Sequence, residues 1–366
     1  MMPAEARRLD PPALRKGELG EALVAHMNEL TFARHGDLAL GNAAANLPAL
    51  AADRSLRQLR RAAPGIGRGA TAVVIAAGPS VRKHDHARQL VEAGYEGAVV
   101  AAESSLYYCL SRGLVPDVVV TVDPTRPIVR WFGDPELSDA EIRDNDYFRR
   151  QDLADAFKRE REVNDELLEL VNRHAPDIKL AISTSAHPDV VARCWQAGFQ
   201  MYWWNPMYDD PADPAGVTAR LVRDNGLPAV NAGGNVGTTA WMVAQAALGK
   251  DTVALTGIDF GYYAGTPYER TQYYKEIVDL VGEDRVESVI MRIFNPHYDA
   301  EFLTDPAYRW FRDSFLELAR DARCRTLNCT EGGTLFGEGV EVKSLARFLA
   351  DDVEPDALNT DAQTVR

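Results

Sequence analysis

Asn231-Ala232-Gly233-Gly234-Asn235-Val236-Gly237-Thr238-Thr239-Ala240 runs into a helical stretch ending at Leu248, then into Thr252–Gly257 and Ile258-Asp259-Phe260-Gly261. A glycine-rich loop, an amphipathic helix and a short β-branched run in this order predict one unit of an α/β sheet. The same rhythm extends outward in both directions. Apolar runs recur at Thr71–Ala77, Gly97–Ala102, Asp117–Val122, Ile178–Ser183, Phe199–Trp204 and Cys324–Cys329. Their near-continuous hydrophobicity suits strands covered on both faces. Helical spacing marks the segments between them: Lys83–Ala93, Ser104–Gly113, Pro188–Ala197, Val217–Asn225 and Ala307–Ala322. The expectation is an α/β fold, a mostly parallel sheet with helices on both faces.

Upstream of this region, residues 1–69 read as an N-terminal helical segment, with Leu19, Leu23, Met27 and Leu30 at three- and four-residue spacing. Pro64-Gly65-Ile66-Gly67-Arg68-Gly69 breaks that pattern and opens the main domain, residues 70–350. Within it, residues 134–175 are dense in charge and read as a helical insertion, either a solvated face or a lid or docking surface. Residues 351–366 lack periodicity and read as a flexible tail.

Composition narrows the partners. The 366 residues carry 40 Lys and Arg against 54 Asp and Glu, a net charge of −14. That balance argues against a nucleic-acid partner, whose affinity rests on neutralising phosphates. It leaves room for a small anion bound by backbone amides. Cys109, Cys194, Cys324 and Cys329 are too scattered for a disulfide framework or a zinc cluster. No secretory signal and no membrane-length apolar run is read, which predicts a soluble, cytoplasmic protein. Whether it acts alone or as a homo-oligomer is left open.

Ligands of open α/β sheets gather beyond the carboxyl ends of the strands, and four such ends stand out. Gly78-Pro79-Ser80 follows the first run and suits a tight turn close to a ligand. Glu103-Ser104 follows the second, where an N-cap is the alternative. Asp123 follows the third, placed to bind a ribose hydroxyl or a metal, or to start a turn. Gly233, Gly234, Asn235 and Gly237 form the fourth, and a helix start there offers free N–H groups to a phosphate or diphosphate. This loop is neither a Walker A loop nor a full dinucleotide fingerprint, because Gly249-Lys250 is followed by Asp251. Downstream stand Asp259, the tyrosines Tyr262, Tyr263 and Tyr268, and His297 within Phe294-Asn295-Pro296-His297-Tyr298. Tyrosine hydroxyls can donate to a departing phosphate, and histidine suits a general base near neutrality. His84 and His86 read as exposed helix residues.

Taken together, Gly78-Pro79-Ser80, Pro116–Pro124, the glycine loop leading to Gly257-Ile258-Asp259-Phe260, and Asn328–Gly333 resemble the central domain of motility accessory factor proteins. That domain is shared with 6-hydroxymethyl-7,8-dihydropterin diphosphokinase-like proteins and is similar to bacterial sialyltransferases that use CMP-sialic acid. The resemblance covers roughly residues 70–350 and implies a Rossmann-like, sialyltransferase-like fold.

The resemblance implies an inverting glycosyltransferase that moves a nonulosonic acid from a CMP-activated donor to a protein acceptor, flagellin-like, or to a glycan. It implies nucleotide binding by Gly78, Pro79, Ser80, Glu103, Ser104, Asp123, Gly233, Gly234, Asn235, Gly237 and Asp259. Tyr262 or Tyr263, with Tyr268, would stabilise the leaving phosphate, and His297 would act as base. No metal or cofactor is required on this reading. The sialyltransferases place asparagines where this chain has Glu103 and Asp123. The competing expectation is pyrophosphoryl transfer from ATP to a hydroxymethylpterin, with Mg²⁺ on Asp123 and Asp259. A third is a non-catalytic nucleotide-binding or scaffold module.

Overall fold

The computed structural model describes residues 16–50, 54–150, 159–354 and 357–358. Its centre is a sheet of nine strands, all parallel: β1 (Thr71–Ile75), β2 (Ala98–Ala102), β3 (Val118–Thr121), β4 (Lys179–Ser183), β5 (Gln200–Pro206), β6 (Ala229–Val230), β7 (Thr252–Thr256), β11 (Arg325–Asn328) and β12 (Glu341–Val342). Their spatial order is β12-β11-β7-β1-β2-β3-β4-β5-β6. The chain steps from β1 to β6 in one direction, then returns so that β7 pairs with the other side of β1. That reversal makes the carboxyl ends of β1 and β7 a topological switch point, where open sheets hold their ligands.

The seven apolar runs of the sequence all appear as strands of this sheet. Their side chains alternate between its two faces. Val73, Ile75, Val99, Val119, Leu180 and Ile182 point into one core layer; Val74, Val100, Val120 and Leu255 point into the other, with Trp241 and Phe315. The helices Pro188–Ala197 and Val217–Asn225 fall on their expected residues. The expected helix Lys83–Ala93 is two, Pro79–His84 and His86–Glu92, because Asp85 adopts φ 51° between them.

A second, antiparallel sheet was not expected from the sequence: β8 (Tyr262–Tyr263), β9 (Met291–Asn295) and β10 (Ala300–Thr304), in the order β8-β10-β9. β9 alternates buried and more exposed residues, so it lacks the continuous apolar run by which the parallel strands are recognised.

The charged stretch 134–175 is more integral than an exposed insertion. Its helix Glu160–His174 buries Val163, Leu167 and Val171 and forms the crossover from β3 to β4. Glu160 is buried there between Arg130 (2.8 Å) and Arg149 (2.7 Å). Residues 151–158 of that stretch lie outside the described set. The N-terminal segment packs into the fold: Leu19 and Leu23 form a separate cluster with Tyr262, Ile277 and Leu303, and Leu56 and Leu59 join one core layer of the main sheet. Most of the tail, 359–366, also lies outside the described set, whereas Ala357 is buried and its carbonyl accepts from Glu96 N–H at 2.8 Å.

His86 departs from its expected exposure. It is fully buried, neither ring nitrogen has a partner among the described residues, and burial pushes its pKa down to about 4. The four cysteines carry free thiols, three of them buried. No helix among the described residues is long and apolar enough to cross a membrane.

Candidate nucleotide-binding site

A cleft of about 900 Å³ opens over the carboxyl ends of β1, β2, β3 and β7. The helix Met27–Asn46 roofs it. Asn42 Nδ2 donates to the carbonyls of Pro124 (2.8 Å) and Ser185 (3.0 Å), and Asn46 Nδ2 to those of Thr184 (2.9 Å) and Ala186 (2.8 Å). These bonds fix the helix's second half, while Asn28, Phe32 and His35 of the first half line the cleft.

The floor is the turn after β1. Gly78 N–H donates to Gly257 O at 2.8 Å, which carries the β1–β7 pairing past the strand ends. A side chain at Gly78 would bring its Cβ within 2.0 Å of Asp259 Oδ2, so only glycine fits this approach. Ser80 is buried and turned to Asp259: its hydroxyl donates to Oδ2 at 2.7 Å and its N–H to Oδ1 at 3.3 Å. Gly78, Pro79 and Asp259 line the cleft, whereas Ser80 supports Asp259 from behind. Burial pushes the Asp259 carboxyl up to about 7, against the pull of the Ser80 hydrogen bonds.

The glycine loop forms the facing wall. Gly233 N–H donates to Asn231 Oδ1 (3.0 Å), and Asn235 caps the following helix by accepting from Thr238 N–H (2.9 Å). The N–H groups of Val236 and Gly237 meet no acceptor among the described residues, so they remain available to an anion. Gly234 has φ 78°, and a Cβ there would lie 2.4 Å from the Trp310 ring. Helical structure continues through Ala247, its last five residues as a π turn.

Two carboxyl groups complete the edge. Glu103 is 4% exposed, and its Oε2 has no hydrogen-bond partner among the described residues. Burial pushes its carboxyl up to about 8, and the Asp123 charge acts in the same direction. Asp123 is half-buried and accepts from Thr125 N–H through Oδ1 at 2.7 Å. Ser104 lies beside them in the lining.

The roof helix's end, β1 to β3, the Gly78 turn, Glu103 and Asp123 all fall in one stretch of chain. Residues 41–133 match the family described as 6-hydroxymethylpterin diphosphokinase MptE-like. This is one of the families whose motif order the chain resembles. Among solved structures, the MAf glycosyltransferase from Magnetospirillum magneticum AMB-1 is similar at 14% identity, over 82% of this chain and 40% of that one, with a TM-score of 0.47. The chain therefore spans less than half the length of that protein. No curated protein matches it.

The structure thus brings together ten of the residues singled out for the nucleotide: Gly78, Pro79, Glu103, Ser104, Asp123, Gly233, Gly234, Asn235, Gly237 and Asp259. It does not bring the catalytic candidates to the same cleft. Tyr262, in β8, is buried, donating to Asp305 Oδ2 (2.7 Å) and accepting from Gln272 N–H (3.1 Å). Tyr263 lies under the Lys83 ammonium (4.1 Å to the ring centre). Tyr268 packs toward the Leu19 cluster. His297 is exposed in the turn between β9 and β10, its ring 6.0 Å from that of Phe336. These four positions belong to the small sheet and its surroundings, and none lines the cleft.

Conversely, sequence reasoning missed Tyr147, Arg150 and Tyr308 as cleft residues. Arg150 is held by Gln272 O (2.6 Å) and Glu276 (2.9 Å). Its only sequence signal is its position in the charged stretch 134–175, for which a lid or docking surface is one of the two readings.

Proposed function

We propose that the protein is a nucleotide-dependent transferase, and specifically a glycosyltransferase moving a nonulosonic acid from a CMP-activated donor to a protein or glycan hydroxyl. The observation that carries this reading is the convergence of the Gly78 turn, the Val236 and Gly237 amides and Asp123 on one cleft at the switch point. Amides at a helix start supply hydrogen bonds and partial positive charge to a phosphate without a basic patch, which suits a chain of net charge −14. The motif order resembles that of proteins using CMP-activated sugars.

In the transfer, the acceptor oxygen bonds to the anomeric carbon from the face opposite the phosphate. The carbon–oxygen bond to the phosphate breaks, and CMP leaves with the electron pair. Asp123, with Oδ1 committed to Thr125, retains Oδ2 for the acceptor proton or a ribose hydroxyl. A flagellin-like serine or threonine is the acceptor that the resemblance favours.

The family match over residues 41–133 favours a second reading, pyrophosphoryl transfer from ATP to a hydroxymethylpterin. That chemistry uses Mg²⁺ to neutralise the phosphates. Asp259 gives both oxygens to Ser80, and no group of three or more His, Cys, Asp or Glu among the described residues is placed to hold a metal ion. A metal here would rely on Asp123, phosphate oxygens and water. A thermal-shift series with CMP, CDP, UDP, GDP and ATP, each with and without Mg²⁺, tests both. The largest shift with CMP in chelator is expected; a shift confined to ATP with Mg²⁺ favours the second reading, and none with any nucleotide removes both.

A further inference from the structure

Glu103 is a buried carboxyl of the cleft whose Oε2 has no hydrogen-bond partner among the described residues, and it follows directly on β2. The β1–β2 pairing ends at Ile75↔Ala101, and just past it Ala77, before the Gly78 turn, and Glu103 both line the cleft. The Gly237 end of the glycine loop reaches the same point, since a Cβ there would lie 3.5 Å from that of Ala76. Glu103 therefore fronts the place where the turn and the free loop amides meet.

Resting on the nucleotide-binding reading above, we propose that Glu103 meets the phosphate of the bound nucleotide as a hydrogen-bond donor, so that nucleotide binding and one proton on Glu103 are linked.

The chemistry follows from its surroundings. The side chain is 4% exposed, and its Oε2 is shielded from solvent and without a partner among the described residues. The groups that act on it are Asp123 after β3 and Tyr147 from the segment after β3, and Asp259 after β7 lines the same cleft. His35 faces the same cleft from the roof. Arg82 and Arg150 also line the cleft, but neither pairs with Glu103, Arg150 being held by Glu276 at 2.9 Å, and burial keeps His35 below its ordinary pKa. An ionised carboxylate there would be unpaired, buried and repelled by a phosphate. A neutral carboxyl group offers an O–H donor to a phosphate oxygen and leaves no repulsion. A phosphate in place would hold that proton more firmly still.

Calorimetric titration of the intact chain with CMP from pH 7 to 9.5 tests the linkage. CMP is fully dianionic across this window, because its second phosphate pKa is about 6. The wild type should lose affinity as pH rises through about 8, approaching about tenfold per pH unit above it. Titrations in two buffers of different ionisation enthalpy should report proton uptake on binding near pH 9. Glu103→Gln keeps a neutral donor at every pH, so whatever its affinity at pH 7, that affinity should stay flat to pH 9.5. CMP binding that is flat with pH in the wild type, or equally pH-dependent in Glu103→Gln, overturns this proposal and leaves the nucleotide reading standing. Absence of binding by CMP, UMP and ATP to the folded wild type overturns both.

Discussion

Ser80 donates its hydroxyl proton to Asp259 Oδ2 at 2.7 Å and its N–H to Oδ1 at 3.3 Å, clasping the turn after β1 to the segment after β7. The two residues are 179 apart in sequence and meet at the reversal in strand order. The clasp holds the floor of the cleft, and Asp259 O in turn accepts from Thr334 N–H at 2.7 Å. Removing the Ser80 hydroxyl leaves a buried carboxyl oxygen without its donor. Ser80→Ala should therefore cost about 1–3 kcal/mol of stability, measured by urea unfolding, and weaken CMP binding by displacing the turn.

Gly234 gives the most local test of the loop. With φ 78° and a Cβ position 2.4 Å from Trp310, Gly234→Ala must shift the loop or the ring. The Val236 and Gly237 amides move with it. We expect CMP affinity to fall at least about tenfold, the equivalent of about 1.4 kcal/mol, with secondary structure by circular dichroism retained.

His297 provides the opposite expectation. It sits exposed in the β9–β10 turn and does not line the cleft. His297→Ala should leave CMP affinity within about twofold and the melting temperature within about 2 °C, since exposed substitutions typically stay within about 0.5 kcal/mol. A tenfold loss of CMP affinity on calorimetry would place His297 in the nucleotide site after all.

The buried titrating groups set the pH dependence of stability. Glu103 and Asp259 have folded pKa values of about 8 and about 7, above their unfolded values. The folded state therefore binds more protons between these limits, and their contribution to stability is lost as pH rises toward 8. His86 works the other way: its folded value near 4 lies below the unfolded one, so its contribution is lost as pH falls below about 6.5. Urea unfolding should show lower stability at pH 8.5 than at pH 6.5. Glu103→Gln should flatten the alkaline side of the profile, and His86→Leu the acid side.

The parallel sheet was legible because its strands are buried on both faces and so read as short, continuous β-branched runs, as in Thr71–Ile75 and Val118–Thr121. Once those runs are placed, their carboxyl ends follow, and with them Gly78, Glu103, Asp123 and the glycine loop. The antiparallel sheet escaped because β9 and β10 carry exposed Arg292, Phe294 and Glu301 among their buried residues. Its tyrosines and His297 were grouped by nearness in sequence, but the fold turns Tyr262 into a buried support for Asp305 and His297 outward. Tyr147, Arg150 and Tyr308 reach the cleft only through long-range packing, which no local pattern encodes. Ser80 was correctly placed at the turn, yet its partner Asp259 was not readable as such.

The central claim, a metal-independent nucleotide site built from the Gly78 turn and the glycine loop, is tested most directly by calorimetry with CMP in chelator against ATP with Mg²⁺. Saturable 1:1 binding of CMP without metal, weakened at least about tenfold in Gly234→Ala, is expected. Binding of ATP alone, and only with Mg²⁺ present, would contradict it.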